Sequence, residues 1–253
     1  MPLRNGDRGF SLPELAIVLV VVGLLLGGML MPLATQIDLR RTAETRSTLH
    51  QVRDALQGFA VANGRLPCPA AAGTTGAEAG AGVCPLSAGG AADGFVPGVT
   101  LGLSPSDNQG YVLDAWGNRL RYAVTVAPTA APGSFTTSNG ISSFWRANGS
   151  PPAADLQICR DSASITQPGT AKADCAAGSA LSKAAVAVIY STGRNAATTG
   201  RGVDEAANLN GDRVFVAHEE SPAAASGGEF DDLLVWLSPN ILYNRMVAAG
   251  RLP

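Results

Sequence analysis

Histidine is nearly absent from this chain: among 253 residues, His50 and His218 are the two present. Aromatic residues amount to 6% and charged residues to 15%. So little imidazole leaves few ways to assemble a nitrogen-rich metal centre or a His-based general base. There is no GxSxG, no HExxH, no P-loop and no dinucleotide fingerprint. His218 lies in a strand-like segment without a nucleophile elbow, and His50 sits on an amphipathic helix as a surface or partly packed residue. Catalysis is not expected, and the chain is read as a non-enzyme. Its net charge of -2 gives no basic stripe for nucleic acid, although a local patch would be compatible with one.

Cysteine is scarce too, at four, but regularly spaced: Cys68 and Cys84 are sixteen positions apart, and so are Cys159 and Cys175. Four cysteines allow three pairings, of which the two local ones are favoured. Each closes a loop rich in Gly, Ala and Pro, where a cross-link limits the unfolded ensemble by roughly 3 kcal/mol. Such bonds require an oxidising compartment. No CxxC or neighbouring His accompanies them, which argues against a zinc site.

What the sequence does contain is one long apolar run. Residues 15–34 carry no charge, and at 1.5 Å per residue they span about 30 Å, the thickness of a bilayer's hydrocarbon core. Arg4 and Arg8 precede the run and mark the cytoplasmic side. The run is longer than an ordinary signal-peptide core, and no clear small-x-small cleavage site follows it. Gly23 and Gly27 form a GxxxG pattern, which permits close helix approach in a membrane. Pro32 is expected to kink or locally melt the helix. Glu14, at the head of the run, is out of keeping with it.

The hexapeptide G-F-S-L-P-E at 9–14, with its basic leader and apolar continuation, resembles the type III signal of type IV pilins and type II secretion pseudopilins. The resemblance implies cleavage after Gly9, N-methylation of Phe10 as the first mature residue, and Glu14 as the fifth. It implies prepilin peptidase/N-methyltransferase, an inner-membrane assembly platform, membrane lipid and other pilin or pseudopilin subunits as partners. It also implies a single-pass inner-membrane protein with a periplasmic C-terminal domain, later drawn into a periplasmic or surface filament. An ionisable residue inside a membrane is usually paired. Here the new ammonium of Phe10 on a neighbouring subunit would neutralise Glu14. Breaking such a buried pair costs about 3–5 kcal/mol, so the penalty falls on wrong axial registers. A signal-anchored binding module that never polymerises is the alternative.

The expected organisation is a leader at 1–9, a transmembrane or filament-core half-helix at 10–34, an amphipathic half at 35–63, and a globular domain at 64–253. Leu49, Val52, Leu56 and Phe59 make one apolar stripe, with Arg46, Arg53, Asp54 and Gln57 opposite. Asn63-Gly64 is a suitable stop. A long loop follows from 64. Strands are predicted at 119–126, 184–191, 212–219 and 231–238, and more weakly at 141–147. Ser238-Pro239 opens a short helix through Leu242 and Met246 that stops at Gly250. One long helix followed by consecutive strands gives an α+β, pilin-like fold with an antiparallel sheet packed on the helix.

Two further stretches carry the resemblance. D-A-W-G-N-R-L-R-Y at 114–122 is similar to the D-P-W-G-N segment of major pseudopilins, with Ala115 in place of proline. I-Y-S-T-G-R-N at 189–195 resembles their S-x-G-x-D-G turn, with Asn195 in place of the acidic residue. The length of the chain leans towards a minor pilin or pseudopilin, and these turns lean towards the major subgroup. Hard oxygen donors cluster at Asp204, Glu205, Asn208, Asn210, Asp212, Asp231 and Asp232. Calcium takes six to eight such oxygens, and major pseudopilins bind it in a comparable loop. Asp204, Asn208, Asn210, Asp212 and Asp231 are the candidate ligands. An Asx-rich turn that satisfies its own backbone explains the same residues.

Overall fold

The computed structural model describes residues 11–80, 82–126, 134–197 and 202–252, excepting the side chains of 25–34. Gly9 and Phe10 lie outside the described residues, as does the side chain of Pro32. Helix α1 (Leu12–Asn63) is helical without interruption, so the local melting expected at Pro32 does not occur. Its first turn carries half of a capping box. Glu14 Oε2 accepts from the Ser11 backbone N–H at 3.4 Å and from Ser11 Oγ at 3.3 Å, satisfying a donor the helix itself leaves over. Pro13 fits there because its missing N–H has no intrahelical partner to lose.

Two compact units divide the chain, Met1–Ala43 and Glu44–Pro253. The boundary falls within α1. In the first unit Leu15, Ile17, Val18, Leu19, Val20 and Leu24 are all exposed. Among the described residues no helix is long and apolar enough to cross a membrane.

In the second unit α1 buries Leu49, Val52, Leu56 and Ala60 completely. Ala60 rather than Phe59 completes the stripe, because it follows Leu56 by one helical turn. Phe59 is half-buried beneath the Arg65 guanidinium, 5.2 Å from its ring centroid. Gln57, expected on the polar face, is buried. Gly64 ends the helix in the left-handed conformation at φ 67°, donating its N–H to the Ala60 carbonyl.

The elements that follow are β1 (Ala92–Phe95), α2 (Gly98–Leu101), β2 (Arg121–Val124), α3 (Gly140–Asn148), β3 (Leu156–Cys159), β4 (Ile165–Thr166) and β5 (Asp174–Cys175). Then come β6 (Ala180–Ala185), β7 (Ala187–Ser191), α4 (Val203–Asn208), β8 (Val214–Val216), β9 (Leu233–Leu237) and α5 (Pro239–Ala248). The main sheet has the order β1-β2-β7-β9 and is antiparallel throughout. Its β7 is fully buried. Alternate residues of β7 serve opposite faces: Ala187 and Ile189 join Leu49, Val52 and Leu56 of α1, while Val188 and Tyr190 join Ile158 and Phe215. Those last two belong to a second sheet, ordered β6-β3-β8. The fold is therefore α+β, with α1 on one face of the main sheet and the second sheet on the other.

Three expectations are corrected here. Residues 141–147 form α3, not a strand. Ile141 is buried and Trp145, one turn later, packs edge-on against Tyr243 of α5, so the segment's contacts recur at helical spacing. The sheets are not wholly antiparallel, because β3 and β8 pair in parallel. The stretch at 184–191 is divided between two sheets, breaking at Val186. The cysteines join as Cys68–Cys84 and Cys159–Cys175. Inside the first bridged loop, Glu78 takes a two-pronged ion pair from Arg65 at 2.6 and 2.8 Å and the Cys68 N–H at 3.1 Å. The hydrogen bonds from Arg65, opposed by partial burial, hold the Glu78 carboxyl below its ordinary pKa.

Candidate metal centre and the amino-terminal signal

Three segments converge at one buried point. Helix α4 supplies Glu205 and Asn208, the turn after β7 supplies Gly193 to Asn195, and the residues entering β9 supply Asp231 and Asp232. Glu205, Asp231 and Asp232 are all buried, each with a carboxylate oxygen within 4.8 Å of the others. Glu205 accepts from Asn195 Nδ2 at 2.9 and 3.1 Å and from the Asp231 backbone N–H at 2.9 Å. Asp231 Oδ2 accepts from the N–H groups of Arg194 and Asn195 at 3.1 and 3.2 Å. Asp231 Oδ1 is buried and has no hydrogen bond among the described residues. Asp232 Oδ2 accepts from Asn208 Nδ2 at 2.8 Å, and Asn208 also pairs with both backbone groups of Val216 in β8.

The backbone is shaped to this packing. Gly193 has φ 63°, and a β-carbon there would collide with Asp231 Oδ1. Burial, reinforced by the Glu205 charge, raises the Asp231 carboxyl to a pKa of about 6. Among the described residues, three buried carboxylates face one nearby cation, the Arg194 guanidinium 3.5 Å from Asp231 Oδ2, and with Asp231 Oδ1 unengaged this group of hard oxygens fits a cation such as Ca²⁺. Glu205, Asp231 and Asp232 would hold it, and its contribution would be positive charge at a point otherwise crowded with negative charge.

The five ligands expected from sequence do not meet. Asp231 belongs to the cluster and Asn208 braces it. Asp204 instead accepts from the Ser162 N–H at 2.7 Å and faces His218 Nε2 at 3.2 Å. Asp212 accepts the N–H groups of Val214 and Gly169, each at 2.7 Å, and its own N–H goes to Asn210 Oδ1 at 2.8 Å. This is turn chemistry, so the Asx-turn reading holds for Asn210 and Asp212. Glu205 and Asp232 belong to the donor cluster expected from sequence but not to its five candidate ligands, and Asn195 is named only in the turn after β7. The available signal was Asn195 itself, which stands where the similar turn carries an acid. His218 spends both ring nitrogens locally, Nε2 on Asp204 and Nδ1 on the Glu219 carbonyl, and lies over Phe230 with ring centroids 3.9 Å apart.

At the other end of the chain, Glu14 and Ser11 form the capped start of α1 described above, directly after the positions of Gly9 and Phe10. No curated protein and no solved structure matches the chain significantly. Residues 4–30 match the family described as the prokaryotic N-terminal methylation motif, and the chain thus carries the prepilin-type cleavage and methylation signal of type IV pilins and pseudopilins.

Proposed function

We propose that this protein is a structural subunit, of the minor pilin or pseudopilin kind, in a type IV pilus or type II secretion filament. Prepilin peptidase cuts it after Gly9 and methylates Phe10, and α1 carries it from the inner membrane into the filament while the globular unit stays periplasmic. The observation that carries this reading is the methylation motif at 4–30, which leads into a 52-residue helix. Exposed Leu15, Ile17, Val18 and Leu19 support it, since apolar side chains on that scale need lipid or neighbouring helices. Intact mass and N-terminal peptide sequencing of protein from its native host test it. A chain beginning at methylated phenylalanine is expected, and an intact leader would overturn the proposal.

Within that subunit Glu205, Asp231 and Asp232 form a structural cation site that joins α4 to the head of β9. The unengaged Asp231 Oδ1 is the feature that supports this role. Its test is thermal unfolding with Ca²⁺ against chelator, where an unchanged midpoint would dismiss it.

A further inference from the structure

An open cleft of about 420 Å³ lies beside the start of β2, its lining including Phe95, Asn118, Arg119, Arg121, Ala196 and Leu209. Arg119 and Arg121 belong to its lining, and among the described residues no carboxylate does. Both guanidinium groups lie against the Phe95 ring. Arg119 lies 4.1 Å from the Tyr111 ring centroid and 5.9 Å from that of Phe95; Arg121 lies 5.3 Å from Phe95 and 5.8 Å from Tyr190. These ring contacts limit how far each guanidinium can turn.

Each arginine is also engaged along one edge. Arg119 donates Nε to Asp107 at 2.8 Å and Nη2 to Gln109 Oε1 at 2.5 Å. Arg121 donates Nε to Tyr190 Oη at 2.9 Å and Nη2 to Asp93 at 2.5 Å. The Nη1 group of each has no hydrogen bond among the described residues, and with two N–H donors apiece they remain to be used. Residues two apart on an extended chain lie on the same side and roughly 7 Å from each other. Both guanidiniums are therefore presented on one side of the chain, where a short acidic segment can reach the pair.

We infer that this cleft binds a carboxylate carried on a peptide segment, an acidic side chain laid between Arg119 and Arg121. Asp107 and Asp93 already offset the two arginines formally, so a monoanion suits the site better than a phosphate dianion. Phe95, Ala196 and Leu209 add apolar surface that a peptide covers and a bare ion does not. This inference does not depend on the filament reading.

The experiment is fluorescence anisotropy of labelled tetraglutamate with the full-length protein in detergent micelles at low salt. Saturable binding is expected, with none to labelled tetraglutamine. Ala196→Glu leaves both arginines in place and sets a competing carboxylate in the lining; it should weaken binding about tenfold. Arg119→Lys keeps the charge, loses the planar fork, and should weaken binding severalfold, so the inference survives a folding failure of either variant. Near-ultraviolet dichroism checks that each is folded. Equal binding of tetraglutamine, or undiminished binding by both folded variants, overturns the proposal. Displacement by inorganic phosphate at the concentration of competing tetraglutamate overturns the carboxylate assignment, and equal displacement by succinate overturns the peptide.

Discussion

Asp231 donates its backbone N–H to Glu205 Oε1 at 2.9 Å while its own carboxylate is pressed into the same buried point. One residue thus both relieves and aggravates the charge on its neighbour. Asp231→Asn removes the aggravation and keeps the shape. In chelator the variant should melt higher than the parent, and the stabilisation by Ca²⁺ should disappear. Saturation to a hundred times Kd is worth about 2.7 kcal/mol, or roughly 5–10 °C for a unit of this size. Differential scanning calorimetry with Ca²⁺ and with chelator measures both effects.

The same carboxyl sets a pH dependence whose sign is fixed. With its folded pKa raised to about 6, the folded state holds a proton that the unfolded state has released. Stability of the chelated protein should therefore fall as pH rises between about 4 and 6, then level off. Glu78 acts in the opposite sense, its lowered pKa giving stability that is lost as pH falls. The difference between parent and Asp231→Asn isolates the first contribution. Urea midpoints at the two ends of that interval should diverge for the parent relative to the variant.

Gly193→Ala tests the cradle around the cluster. A side chain there must adopt a left-handed backbone and displace Asp231 Oδ1. Gly117→Ala is the control, also left-handed at φ 88° but with open space where the β-carbon would lie. The control should lose about 1 kcal/mol. The Gly193 variant should lose more and should also bind Ca²⁺ more weakly, as read by denaturant titration and calorimetry.

Glu14→Gln tests the assembly role. Membrane insertion and α1 should persist, because an amide oxygen still accepts from Ser11. Incorporation into filaments should fall sharply, since an unpartnered buried ammonium costs about 3–5 kcal/mol. Sheared-filament recovery against total membrane protein gives the measure; incorporation at the parental level would remove the register argument.

What could be read from the chain alone was what is local. The signal at 4–30 is contiguous, so its meaning survives without tertiary structure. The β7 segment announced itself because both faces are buried and its residues are apolar throughout. Strand β1 was hidden, since Ala-Asp-Gly-Phe becomes a strand only through its ladder with β2. Parallel pairing of β3 with β8 joins residues far apart in sequence, and nothing local encodes it. Which of the seven oxygen donors come together is hidden for the same reason. Asn210 and Asp212 are close in sequence and serve their own turn, whereas Glu205 and Asp231 meet only in the folded unit.

The contact between Ser11 and Glu14 has a consequence for traffic in and out of a filament. An acid already held by its own helix is not waiting bare for a partner. Under the proposed function, joining a neighbour swaps one donor for another on the same carboxylate. The Ser11 contacts are long and neutral, at 3.3 and 3.4 Å, so they hold the acid in place at the head of α1 yet yield to a charged partner when one arrives.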